Sequence, residues 1–302
     1  MKQPRFGTVV TAMVTPMNAD GDVDLDETKR LARWLCDHGS SGLVVCGTTG
    51  EGPTLTDNEK LALFASVVEA VRGRAKVIAN TGGNDTRKSV EFSKKAAACG
   101  VDGILAVGPY YNKPPQAGLI AHFNAIADAA ELPVMIYNIP GRTCVNVLPE
   151  TLLELSHHPD IVAVKESSGD LMQISDICAR APSSFDVYSG DDHLALPIAA
   201  VGGVGVVSVA SHVAGDDIKA MLDCYFAGDV ARAASIHQHL LPLLRALFAV
   251  TSPIPVKAAV ARLGFSVGRC RLPLCELTSE QQLSLDAAIA PWLKTPVATP
   301  AR

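Results

Sequence analysis

Eight short apolar runs, most of them β-branched, punctuate the first 210 residues, and stretches with helical spacing fill the intervals between them. The runs are Val9–Val14, Leu43–Cys46, Val77–Ala79, Gly103–Val107, Pro133–Tyr137, Ile161–Val164, Val187–Tyr188 and Val204–Val209. Near-continuous apolar strands are those buried on both faces, as in parallel sheets. Between them, Thr28-Leu31-Ala32-Leu35 and Leu61-Leu63-Phe64-Val67-Val68-Val71 recur at helical intervals. Asp24, Asp26 and Glu27 suit a helix start, while Gly39, Gly73 and Gly100 stand where C-terminal caps belong. Strands alternating with helices imply right-handed βαβ units in a parallel sheet. Eight of them in about 220 residues match an α/β fold, the (β/α)8 TIM barrel. A doubly wound sheet competes poorly, because it usually needs fewer strands and often a glycine-rich nucleotide turn, and no convincing one occurs.

After the eighth run the alternation stops. Ile218 to Phe226, Val230 to Val250, Val256 to Leu263 and Glu280 to Trp292 read as helices with no strand between them. The expected organisation is a catalytic barrel over 1–228, a C-terminal helical extension over 229–293, and a disordered tail over 294–302. The first run is not a secretion signal, since Thr8 and Thr11 interrupt it and Pro16 and Asp20 follow. The apolar stretch Leu194 to Ala210 is too short to span a bilayer and carries Pro197, Gly202, Gly203 and Gly205, so a helix-turn-strand is expected. With a net charge of −5 and no basic block, nothing points to nucleic acid, nor to a membrane. Cys36, Cys46, Cys99, Cys144, Cys178, Cys224, Cys270 and Cys275 form no C-x-x-C pair and read as free buried thiols in a reducing cytoplasm.

Chemistry in such barrels sits at the C-terminal strand ends. In order these ends read Thr15-Pro16, Gly47-Thr48-Thr49-Gly50-Glu51, Asn80-Thr81-Gly82, Gly108-Pro109-Tyr110-Tyr111, Tyr137-Asn138-Ile139-Pro140-Gly141-Arg142, Lys165-Glu166, Ser189-Gly190-Asp191-Asp192 and Ser208. Lys165 stands where the sixth apolar run stops, at the mouth of the core, where burial disfavours a charged amine. An amine, phenols, paired hydroxyls and a guanidinium on one rim suit carbonyl chemistry without a metal: Schiff base, proton shuttle and carboxylate clamps. Each group also has a plainer reading. Lys165 alone is a solvated loop lysine, Thr48-Thr49 a turn, Tyr110-Tyr111 a packing lid, Tyr137 a strand aromatic and Arg142 a surface arginine. Asp191-Asp192-His193 with His212 invites a metal, but adjacent carboxylates in one loop rarely complete a site. His157-His158 ends a helix and complements its dipole.

Taken together, the Gly47–Glu51, Tyr137–Thr143 and Lys165-Glu166-Ser167-Ser168-Gly169-Asp170 segments resemble the dihydrodipicolinate synthase / N-acetylneuraminate lyase family of class I, lysine-dependent aldolases. The resemblance runs from Gly7-Thr8 to Pro253-Ile254-Pro255-Val256-Lys257, and Thr48-Thr49 with Arg142 place the chain nearer the synthases than the sialic-acid lyases. It implies condensation of pyruvate with L-aspartate 4-semialdehyde in the diaminopimelate/L-lysine pathway. The alternative is another pyruvate-dependent aldolase or lyase of sugar-acid or N-acetylneuraminate type. By resemblance, Lys165 forms the imine with pyruvate and Tyr137 is general acid/base, with Thr48 and Tyr111 completing a proton relay. Thr49 and the backbone at Val207 hold the pyruvate carboxylate, Gly190 lines the pocket and Arg142 binds the aldehyde's carboxylate. No metal and no cofactor beyond the Lys165 imine are implied. The usual assembly is a homotetramer, a dimer of dimers, with Tyr111 reaching across the tight dimer. Two positions depart from the pattern. Lys60 and Lys88, with Asp57 nearby, replace the histidine and glutamate that bind lysine in feedback-sensitive members, although Asn84 and Tyr110 are kept. Lysine feedback is therefore expected to be weak or absent. Ser252 precedes Pro253 where asparagine is frequent, and Glu166 and Asp170 receive no role.

Overall fold

The computed structural model describes residues 3–293; the expected tail over 294–302 lies outside them. Eight parallel strands close into a barrel in sequence order: β1 (Val9–Ala12), β2 (Gly42–Val45), β3 (Lys76–Asn80), β4 (Gly103–Val107), β5 (Val134–Asn138), β6 (Ile161–Glu166), β7 (Asp186–Ser189) and β8 (Gly205–Ser208). β8 pairs back onto β1, Val10 opposite Val207, so no strand is left as an edge. The (β/α)8 architecture read from the sequence is the observed one.

The barrel has two apolar layers. Inside, Val10, Ala12, Val44, Ile78, Leu105, Met135, Ala163 and Val207 fill the bore. Phe6 plugs its N-terminal end, and the Phe6 N–H donates to the Tyr188 hydroxyl over 3.2 Å. The fit is close enough that a Cβ on Gly103 would lie 2.8 Å from the Phe6 ring, so only glycine fits there. Outside, residues of alternate register such as Val9, Leu43, Val77, Ile104, Ile136 and Val164 meet the helices. The helix signals act as the sequence indicates. Asp24 caps the helix Leu25–Asp37 by accepting from Glu27 N at 2.9 Å, and Gly39, Gly73 and Gly100 all take positive φ just past helix ends. Asp170, unassigned from sequence, is the N-cap of the helix Leu171–Arg180 and accepts from Met172 N and Gln173 N.

Beyond β8 the chain is helical: Ser211–Phe226 with a break at Ala214, then Val230–Leu247, Ile254–Arg262 and Ser279–Ile289, followed by a short 3-10 turn Ala290–Trp292. Residues 264 to 278 run back as coil over the first and second loops of the barrel mouth. Met17 N donates to Val267 O, Arg30 to Gly264 O, and Ser266 N to Glu27. No helix among the described residues is long and apolar enough to cross a membrane.

Two expectations need correction. The sixth strand does not stop before Lys165; β6 continues through Lys165 and Glu166, because both find partners across to β5 and β7. The cysteines are not uniformly buried. Cys46 is, but Cys144 and Cys275 are exposed and the other five are half-buried, since they sit on helix flanks and coil rather than in the bore. His157 and His158 follow the end of the helix Pro149–Leu155, where His158 Nε2 pairs with Asp128 at 3.0 Å and its Nδ1 accepts from Asp160 N.

Candidate active site

At the C-terminal mouth, β6 sets Lys165 directly between Tyr137 of β5 and Tyr188 of β7 in register. The Lys165 side chain runs inside the barrel and is 6% exposed, with Nζ 4.0 Å from the centre of the Tyr137 ring. It makes no ion pair and no hydrogen bond through Nζ among the described residues, and neither does the Tyr137 hydroxyl. An ammonium over a phenol face gains only modestly from the ring quadrupole. A buried amine that lacks a carboxylate partner is unusual for lysine. Gly190, in the loop after β7, closes on the lysine stem: a Cβ there would lie 3.0 Å from Lys165 Cε and 1.9 Å from Ser167 Oγ. Glycine at 190 is thus what lets the lysine stand upright. Its N–H donates to Glu166 O at 2.8 Å, which fixes the loop to β6.

A polar seam on the outer side of β5 and β6 holds the Tyr137–Lys165 pairing in place. Glu166 is fully buried and accepts from Asn138 Nδ2 at 3.0 Å and from Ser168 N at 2.6 Å, while Gln173 Nε2 approaches at 3.4 Å. Asn138 also donates to Asn146 at 2.8 Å and accepts from Val147 N at 3.0 Å. Burial pushes the Glu166 carboxyl up, against the pull of those donors. These residues alternate with Tyr137 and Lys165, so the pair on the bore side is braced by the pair behind it. Sequence reasoning left Glu166 and Asn138 without a role. The available signal was two polar residues at the ends of adjacent buried strands, where partners are obligatory.

On the opposite rim, the loop after β2 presents Thr48, half-buried, and Thr49, buried. Neither hydroxyl is used in a protein hydrogen bond among the described residues. Glu51 N closes the turn onto Thr48 O at 3.1 Å, and Thr15 Oγ1 donates to Gly50 O at 2.6 Å. Val207 lies in β8 with its side chain in the bore and its backbone in the ladder beside Val10. Arg142, exposed on the short helix Pro140–Thr143 after β5, donates to Ser252 O at 3.2 Å. Tyr111 is not brought into this group. It is 90% exposed and adopts φ +74°, an unusual backbone for a non-glycine residue.

The acids and histidine that suggested a metal are otherwise engaged. Asp192 is buried beneath β8, accepting from the Ser208 hydroxyl and from Val209 N and Ala210 N at 2.9 and 3.0 Å. His212 accepts from Val14 N at 3.1 Å and donates to Val209 O at 2.8 Å. No cluster of three or more His, Cys, Asp or Glu side chains able to hold a metal ion occurs among the described residues. Asp191 is the carboxyl that shares the mouth with Lys165. Burial raises it, while His193 and Lys165 pull it down.

Fold and site together define the class: a lyase of the class I aldolase type on a (β/α)8 barrel. Residues 5–291 match the model of the dihydrodipicolinate synthetase family, and the chain belongs to that family. It is 56% identical over 270 residues to the 4-hydroxy-tetrahydrodipicolinate synthase of Thermosynechococcus vestitus, covering 89% of this chain and 91% of that one. Its fold is similar to the lysine-bound dihydrodipicolinate synthase from Cyanidioschyzon merolae, with TM-score 0.94 and 46% identity over 95% of this chain and 98% of the other. It is also similar to a structure described as the first monomeric dihydrodipicolinate synthase variant, with TM-score 0.92 and 39% identity over 95% and 96% of the two chains.

Proposed function

We propose that the protein condenses pyruvate with L-aspartate 4-semialdehyde, as a 4-hydroxy-tetrahydrodipicolinate synthase does, through a covalent imine on Lys165 and with no other cofactor. The observation that carries this reading is the buried, unpaired Lys165 amine standing over the Tyr137 ring at the mouth. Lys165 Nζ adds to the pyruvate ketone, and the carbinolamine loses water to give the imine. A proton then leaves the pyruvate methyl, and the enamine carbon attacks the aldehyde. The aldehyde oxygen takes up a proton to become a hydroxyl, and the adduct's amino group attacks the imine carbon, closing the ring as the Lys165 amine leaves.

Tyr137, beside the amine, is assigned the proton transfers at the carbonyl oxygen, with Thr48 as its link across the mouth. The Thr49 hydroxyl and the backbone at Val207 receive the pyruvate carboxylate, with Gly190 as the wall behind it. Arg142, exposed at the entrance, suits the carboxylate of the aldehyde. Tyr111 is assigned to the same relay, but in a neighbouring copy. A 90% exposed tyrosine on left-handed backbone has no task within its own chain, and a second copy would bury it. This favours a tight dimer as the active unit; the homotetramer built from two of them and the cytoplasmic location rest on the family resemblance alone.

Borohydride trapping with pyruvate tests the chemistry. A mass increase is expected on the wild type and none on Lys165→Ala, with condensation lowered roughly 10³-fold or more. A wild type that gains no mass would reject the reading.

A further inference from the structure

Outside the mouth, the most unusual polar feature is a buried ion pair that joins the C-terminal extension to the Thr48-Thr49 loop. Lys257 Nζ, on the helix Ile254–Arg262, lies 2.6 Å from Glu51 Oε1, and both side chains are 1% exposed. Each side chain has a second protein partner as well. Lys257 also donates to Arg269 O at 2.9 Å, and Glu51 Oε2 accepts from Arg271 N at 2.7 Å. Arg271 continues the strap: its guanidinium donates to Thr54 O at 2.8 Å and Gly21 O at 2.9 Å, and it pairs with Glu59.

Glu51 itself is held in an awkward state. It sits at φ +57°, a left-handed conformation that a residue with a Cβ rarely takes. Around it the loop is packed backbone to backbone: a Cβ on Gly50 would lie 2.9 Å from Met13 O, and one on Gly52 2.2 Å from Cys46 O. Glu51 N meets Thr48 O, and Gly52 N meets Gly47 O at 3.0 Å. The turn that aims Thr48 and Thr49 is thus pinned through one residue, and that residue is held by the extension. Burying both charges is expensive and often no better for stability than an apolar pair. Fixed geometry is what such a pair supplies.

We propose that Lys257 and Glu51 are positioning residues for pyruvate: their buried pair sets the Thr48-Thr49 turn, so the C-terminal extension governs pyruvate affinity at the barrel mouth. The assignment rests on the condensation reading above. With Lys257→Met, the carboxylate of Glu51 loses its cation and the turn relaxes. The pyruvate KM should rise about tenfold or more, while the KM for the aldehyde stays within about twofold. The imine should still be trapped at saturating pyruvate. Leu285→Ala, in the core of the same extension but away from Glu51, separates aim from mere loss of stability, and its pyruvate KM should not move. Glu51→Gln keeps the side chain's size and should raise the pyruvate KM in the same way, so it decides the matter if Lys257→Met does not fold. An unchanged pyruvate KM in the charge variants, or an equal rise in Leu285→Ala, would overturn the assignment alone. A wild type with no pyruvate adduct would overturn the condensation reading and this assignment with it.

Discussion

Lys165 and Lys257 are both buried, at 6% and 1% exposure, yet the molecule treats them in opposite ways. Lys257 is paired: a carboxylate at 2.6 Å faces its charge, and with a carbonyl at 2.9 Å it takes up two of its three protons. Lys165 has an aromatic face at 4.0 Å and no ion pair among the described residues. The first arrangement suits a lysine that must never react, since a paired ammonium has no lone pair to offer. The second suits an amine kept available to a carbonyl carbon. Burial by itself does not separate a structural lysine from a nucleophile; what surrounds the nitrogen does.

The sharpest way to break that contrast is to remove each amine and measure stability. Lys257→Met strands the Glu51 carboxylate in a dry site and should cost about 3–5 kcal/mol. Lys165→Met replaces an amine that has no protein partner with an apolar chain of similar length, and the change should stay within about 1 kcal/mol or favour the variant. Urea midpoints at neutral pH report both. Equal losses would mean that Lys165 is tied down as firmly as Lys257.

This contrast is half legible in the sequence. The repeat of eight apolar runs leads to the barrel, because period and length are written locally in β-branched runs and glycine caps. Lys165 is legible as a rim residue, though the apolar run alone ends its strand two residues short; a polar pair closing such a run looks like a loop until its neighbours in β5 and β7 are known. The Glu51–Lys257 pair is not legible, because its partners are separated by 206 positions and no local pattern links the second loop to the helix that carries Lys257. Likewise Asp192 and His212, candidates for metal ligands by residue type, serve β8 and the first loop, since sequence carries residue type but not which backbone groups need partners.

His212 extends the comparison to a third buried base, and one that sides with Lys257 in having every polar atom used. Its ring is fully buried and held neutral, since Nε2 must accept from Val14 N, and burial pushes its pKa down to about 4. In the unfolded chain the ring takes its proton near the ordinary value of about 6.5. A base whose folded pKa is lowered contributes stability that is complete above pH 6.5 and drains away as the pH falls towards 4. The expected loss over that window is about 3 kcal/mol. Buried Asp192, whose carboxyl is raised by desolvation, acts in the opposite sense from the ordinary carboxylate range upward, and it does so equally in wild type and in a His212 variant. His212→Gln keeps an acceptor for Val14 N, so the difference between wild-type and variant urea midpoints should shrink by that amount from pH 7 to pH 4. A constant difference would mean that His212 takes up its proton in the fold as readily as in the unfolded chain.

Lysines in partly open surroundings complete the series. A cavity of about 550 Å³ between the helices Asp57–Val71 and Thr86–Ala97 is lined by Lys60, Lys88 and Lys95 together with Asp57, Asp85 and Glu91, and Tyr110 and Asn84 close its side. Lys60 Nζ sits 5.4 Å from the centre of the Phe92 ring. Asp85 is occupied in capping its helix, accepting from Lys88 N at 3.1 Å. A free lysine entering here would bring its ammonium beside three others, and of the three carboxylates that face them Asp85 is already in use as a helix cap. Like charges at close range in a partly desolvated site disfavour binding by an amount comparable to a favourable ion pair, about 1 kcal/mol each. The structure from Cyanidioschyzon merolae holds lysine. In this chain, lysine at sub-millimolar concentration should change the condensation rate by less than about twofold, a small effect beside the others. Replacing Lys60 and Lys88 by histidine and glutamate should create a lysine response, with half-inhibition moving into the sub-millimolar range. Wild-type protein half-inhibited at that concentration would show that these ammonium groups turn away from the cavity or are neutralised within it.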